Sequence, residues 1–129
     1  MIRTAIATIC FFALFSINLS AQKTNVWNGG FPGHENDWHF SKNWSLGKTP
    51  DVFDNVVIPD VSTTTRRYPV LASGEVEIAS LYVQNGATIT LMQPARISVE
   101  NFNCEGTCKG CDLRILVEGA KTTATALRQ

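Results

Sequence analysis

Through the middle of the chain, apolar residues alternate with polar ones in short β-branched runs, and no stretch keeps a period of 3.6 long enough to predict a helix. The runs are VVIP (Val56 to Pro59), VEIASLYV (Val76 to Val83), ATITLM (Ala87 to Met92), ARISVENF (Ala95 to Phe102) and LRILV (Leu113 to Val117). Gly, Pro, Asn and Asp punctuate them, which predicts strands. The pairs Val56/Ile58, Val76/Ile78, Ile97/Val99 and Ile115/Val117 recur at offsets of 20, 21 and 18 residues with the same inward-outward-inward spelling. A second echo aligns VQNGATITL (Val83 to Leu91) with VEGAKTTATAL (Val117 to Leu127). Periods near 20 predict a mainly β fold of solenoid type, in which each coil's Val and Ile are buried by the next coil. The alternative is a β-sandwich, which also joins short strands by frequent turns.

The two ends break this pattern. Met1 to Ala21 carries one early charge, Arg3, an apolar run from Ala5 to Leu19, and small residues at Ser20 and Ala21. That layout predicts a secretory signal peptide over 1–21, and its apolar run is shorter than the roughly 20 residues of a membrane span. Residues 22–50 hold all three tryptophans and both histidines among many turn formers, so an ordered, aromatic-rich segment precedes the strands. Coil-forming strands are then expected over 51–119, with 120–129 a tail or an incomplete last coil.

Without the leader, 108 residues remain, with 10 basic and 11 acidic side chains and three cysteines. That length suits one small domain and leaves no room for a large α/β enzyme. Near-neutral, scattered charge gives no basic footprint, so neither nucleic acid nor an anionic membrane is an expected partner.

The ordered series WNGGF (Trp27 to Phe31), DW (Asp37, Trp38), NWS (Asn43 to Ser45), DNVVIP (Asp54 to Pro59), YPVL (Tyr68 to Leu71), IASLYVQNGATITL (Ile78 to Leu91) and ISVENF (Ile97 to Phe102) resembles the amino-terminal portion of large secreted bacterial β-solenoid surface proteins. Many of those are cargo of type IX secretion. The resemblance covers roughly residues 26 to 119. It implies a right-handed β-helix that begins with an aromatic cap, a cell-surface or extracellular location, and an adhesin-like or matrix role without catalytic residues. Such proteins continue to a β-sandwich sorting domain, which has no room before Gln129; a truncated reading frame or a short stand-alone relative is therefore expected. An uncapped last coil would expose unpaired backbone and favour self-association.

Candidate chemistry is sparse. CEGTCKGC spaces Cys104, Cys108 and Cys111 as C-x3-C-x2-C, the spacing by which radical S-adenosylmethionine enzymes hold an iron–sulfur cluster. Those enzymes resemble barrels of some 200 residues or more, which this chain cannot supply. Zinc would need a fourth ligand such as His34 or His39. Export favours instead one disulfide among the three cysteines, a loop staple between strands, with the pairing open. No metal or cofactor is expected. Trp27, Trp38, Phe40 and Trp44 have two readings, an exposed platform for sugar rings or a buried structural cap, and the cap is favoured. Asn43-Trp44-Ser45 matches a glycosylation acceptor that carries no weight in a bacterial chain. Asp51, Asp54 and Asp60 bracket the first strand and read as turn chemistry rather than a calcium or acid–base pair. The expected product is an exported, noncatalytic protein that contacts glycans or other surface proteins. The rival is the front of a β-helical polysaccharide-degrading enzyme.

Overall fold

The computed structural model describes residues 22–110, 112–117 and 120–125; the leader and Cys111 lie outside this set. The chain is mainly β, with parallel strands in two sheets and no closed barrel among the described residues. Among the described residues the strands are, in order, β1 (Lys23–Val26), β2 (Asp54–Ile58), β3 (Val70–Leu71), β4 (Glu75–Val83), β5 (Thr88–Leu91), β6 (Arg96–Cys104), β7 (Thr107–Lys109), β8 (Asp112–Val117) and β9 (Ala120–Thr125). A six-stranded sheet runs β1-β2-β4-β6-β8-β9 and a three-stranded sheet runs β3-β5-β7. From β2 to β8 the chain therefore alternates between the sheets, and each strand pairs with the one two places later in sequence.

This alternation explains the run composition. A strand buried on its inner face and stacked on both sides keeps aliphatic residues at every second position. Val76 lies beside Ile97 and Ile78 beside Val99, and all four are buried. The opposite positions, Glu75 and Glu77, face water. Inward residues of both sheets meet in one core that also takes in Leu71, Leu81, Val83, Ile89 and Leu91.

The expected register holds for β4 on β6 but not for its neighbours. Val56 and Ile58 lie beside Leu81 and Val83, not beside Val76 and Ile78. Ile97 and Val99 lie beside Leu113 and Ile115, not beside Ile115 and Val117. The reason is visible in β4, where burial changes phase: Val76 and Ile78 point inward, then Ala79, Leu81 and Val83. Pairing with β6 stops at Ile78–Val99 and resumes at Ser80–Asn101, so β4 and β6 each turn a corner at Ala79 and Glu100. β2 stacks on the half after the corner and β8 on the half before it. A shift of two residues keeps the inward face, so alternation alone does not distinguish the β8 registers.

The second echo fails for another reason. β5 joins the three-stranded sheet, but β9 folds back antiparallel on β8, from Val117–Ala120 to Asp112–Thr125. The tail expected over 120–129 thus contributes an edge strand to the larger sheet.

Corners stack as closely as strands. Glu105 N–H donates to Val83 carbonyl and Thr107 N–H to Ala87 carbonyl, which seats the β6–β7 corner on the β4–β5 corner. A Cβ at Gly106 would lie 2.3 Å from the Ala87 oxygen and 2.5 Å from the Gln84 oxygen. Only glycine admits that approach.

At the other end, residues 22–50 lie along the first edge of both sheets. β1 pairs with β2 in parallel. Against β3, Val70 N–H donates to the Asn36 carbonyl and Trp38 N–H to the Val70 carbonyl. Backbone donors that would face water at both edges are used.

Candidate functional site

The tryptophans form a buried row. Trp27 and Trp38 are fully buried and Trp44 is 2% exposed. Trp44 stands edge-on to both, with centroids 5.0 Å from Trp27 and 4.7 Å from Trp38. The Trp27 indole N–H donates to the Arg67 carbonyl at 2.8 Å, and that of Trp44 to the Trp38 carbonyl at 2.8 Å. Nε1 of Trp38 is the buried side-chain atom without a hydrogen-bond partner among the described residues. None of the three rings offers an outer face to a sugar. Phe40 is half-buried, stacked on His34 at 4.1 Å and tilted against Phe31 at 4.8 Å. Mutual burial of the three indoles, with Phe40 half-buried beside them, is the arrangement of the favoured cap reading.

Two asparagines hold this segment together. The buried Asn43 amide donates to the His34 and Asp37 carbonyls, and its oxygen accepts from Phe31 N–H. Buried Asn25 donates to the Lys48 carbonyl and accepts from Leu46 N–H. The acceptor motif at Asn43 is therefore a structural clamp whose amide nitrogen is already engaged.

The acidic residues bracketing β2 are also engaged. Lys48 pairs with both Asp51 and buried Asp54. Hydrogen bonding to Lys48, then to the Phe53 amide, holds the Asp51 carboxyl below its usual range. The Asp60 carboxylate accepts from Ser62 and Tyr68, whose hydrogen bonds lower it to about 2. No group of three or more His, Cys, Asp or Glu poised for a metal occurs among the described residues. His39 contacts the Ser73 carbonyl through Nε2, and His34 lies against Asp37 and Phe40.

Cys104, which ends β6, and Cys108, in the middle of β7, bring their sulfurs to 3.2 Å across the Gly106 corner. Cys104 lies beside Val83 and Cys108 beside Ile89, so both continue interior positions of the preceding strands. Burial, followed by the neighbouring Cys108, pushes the Cys104 thiol up to about 11. Cys111 lies outside the described residues.

A third feature has no signature in the sequence beyond its outward spelling. On the outer face of β2, β4 and β6, Asn55, Ser80 and Asn101 form one rung, and Val57, Tyr82 and Asn103 the next. The Ser80 hydroxyl lies 2.7 Å from Asn55 Oδ1 and donates to it; the Tyr82 hydroxyl donates to Glu105 at 2.9 Å. An open groove of about 260 Å³ is lined by Ser80, Leu81, Tyr82, Asn101, Phe102 and Asn103. Period-2 alternation marks these residues as outward but not as neighbours, because neighbourhood depends on register. Comparison of the chain with protein-family models, with curated proteins and with solved structures gives no match.

Proposed function

We propose that the chain is an exported, noncatalytic β-solenoid of the right-handed kind, capped by residues 22–50, whose outer groove of mixed polar and apolar lining contacts glycans at a cell surface or in an extracellular matrix. Support for the solenoid is the strand order from β2 to β8: consecutive strands alternate between the two sheets and pair in parallel within each, whereas the sandwich alternative relies on antiparallel pairing. Parallel crossovers are right-handed almost without exception. Support for a noncatalytic role is that Asp51, Asp54 and Asp60 are each engaged in turn and loop contacts.

The observation that carries glycan contact is the groove itself. Tyr82 contributes a ring with a polar tip, and Ser80, Asn101 and Asn103 contribute a hydroxyl and two amides on neighbouring strands. Such groups both donate to and accept from sugar hydroxyls, while a ring covers a sugar's apolar face. The lining side chains are neutral, which matches neutral or N-acetylated oligosaccharides better than sulfated ones.

A glycan array tests this with the wild-type chain, Tyr82→Ala, Asn101→Ala, and a chain carrying a second copy of residues 76–96. The inserted copy equals the offset of β4 from β6, so it adds one coil and lengthens each outer rung by one residue. Binding by the wild type, roughly tenfold or greater loss in either point variant with unchanged circular dichroism, and retained folding with tighter binding in the lengthened chain are expected. Absence of any retained glycan overturns the contact; unfolding of the lengthened chain overturns the solenoid.

A further inference from the structure

We infer that Cys104 and Cys108 form the disulfide of this protein, a staple across one corner, and that Cys111 is left as the unpaired thiol. Three observations converge. The two sulfurs already lie 3.2 Å apart, so bonding requires an approach of about 1 Å to reach S–S length. Both side chains continue interior positions, beside Val83 and Ile89, and both pack against the apolar core. The intervening corner is fixed by Glu105 N–H on the Val83 carbonyl, Thr107 N–H on the Ala87 carbonyl, and the close approach of Gly106 to that carbonyl. The backbone thus holds the two cysteines in place before oxidation.

The chemistry needs an external disulfide oxidant. One thiolate attacks the oxidant's S–S bond, giving a mixed disulfide and releasing one thiol. The second thiolate then attacks the protein sulfur of that mixed disulfide and releases the other thiol. Two S–H bonds become one S–S bond, and the two electrons and two protons end on the reduced oxidant. The burial that raises the Cys104 thiol makes Cys104 a poor first attacker at neutral pH, so the bridge closes slowly near pH 7 and faster as pH rises toward the Cys104 range. The pairing belongs to the folded corner and stands whether or not the outer groove binds glycans.

The sequence supplies a clean readout. Cleavage after Arg96, Lys109 and Arg114 by trypsin places Cys104 and Cys108 together in peptide 97–109 and Cys111 alone in peptide 110–114. The reduced, folded full chain is incubated with oxidised glutathione, its remaining thiols are blocked with N-ethylmaleimide, and the digest is read by mass spectrometry without reduction. The expected result is peptide 97–109 lacking two hydrogens and carrying no label, with peptide 110–114 labelled. A dominant cross-link between the two peptides, or peptide 97–109 carrying two labels or bound glutathione, overturns the assignment. A Cys111→Ser chain provides a second measurement: it should oxidise at the wild-type rate, and a severalfold loss of rate counts against the pairing.

Discussion

Between residues 22 and 50 the buried tryptophans and asparagines pack as unlike parts, and Trp27, Trp44, Asn25 and Asn43 are each tied by side-chain hydrogen bonds to particular backbone groups. From β2 onward it is aliphatic, and each inward residue lies beside the corresponding residue of the neighbouring strand. The first region is specified by individual contacts and the second by repetition. In a repeat, a lost methyl group is shared among similar neighbours; in a cluster of unlike parts each member is irreplaceable. The division of labour follows, because the edge of a stack has no further strand to cover it and needs a partner of different construction.

Truncation of a single tryptophan separates the two regions most sharply. Trp44→Ala removes a ring wedged between Trp27 and Trp38 together with the hydrogen bond to the Trp38 carbonyl, and should cost about 3–5 kcal/mol in urea-unfolding free energy. Ile97→Val, in the middle of the stack, should cost only about 0.5–1.5 kcal/mol. Equal losses in the two variants would erase the distinction.

Asn43→Ala is the next test, with an expected cost of about 1–3 kcal/mol as the partners of its amide lose their hydrogen bonds inside the folded segment. Hydrogen exchange should rise first at Phe31, whose amide loses its acceptor, while β4 and β6 amides keep their protection. Faster exchange throughout the stack would show that the two regions unfold as one.

The contrast also governs what could be read from residues alone. Strand runs of β4, β5 and β6 were legible, and the inward faces of β4 and β5 with them, because period-2 burial leaves a direct trace; in β6 the burial of Ser98 between Ile97 and Val99 interrupts it. The corner at Ala79 was not, since a change of phase spells itself only as two adjacent apolar residues, Ile78 and Ala79. That corner moved the partners of Val56 and Ile58 by an odd number of positions. β7 was hidden inside the cysteine motif, where Thr107, Cys108 and Lys109 carry no strand signature beyond one threonine. Asn25 and Asn43 were illegible for a further reason: a polar residue is buried only when the fold supplies its partners, and those lie up to 23 positions away. The tryptophan row was suggested by composition, but its geometry was not.

Asp60 offers the gentlest test, because it stands between the two regions. Its carboxylate anchors the loop from Pro59 to Pro69, accepting from the Ser62 amide and the Tyr68 hydroxyl, and that loop delivers the Arg67 carbonyl to the Trp27 indole. Hydrogen bonds from Ser62 and Tyr68 lower Asp60 from 3.8 to about 2 in the folded chain. A depressed carboxyl binds fewer protons folded than unfolded, so its stabilisation is complete above the unfolded value and disappears as pH falls through the folded one. The melting temperature should therefore decline between pH 4 and pH 2, and Asp60→Asn should melt lower at pH 7 with a shallower decline below pH 4. The carboxylate is exposed, so the difference should be smaller than either substitution in the aromatic segment. Identical acid profiles for the variant and the wild type would remove Asp60 as the tie between the segment and the stack, leaving the edge hydrogen bonds to β2 and β3 to hold them together.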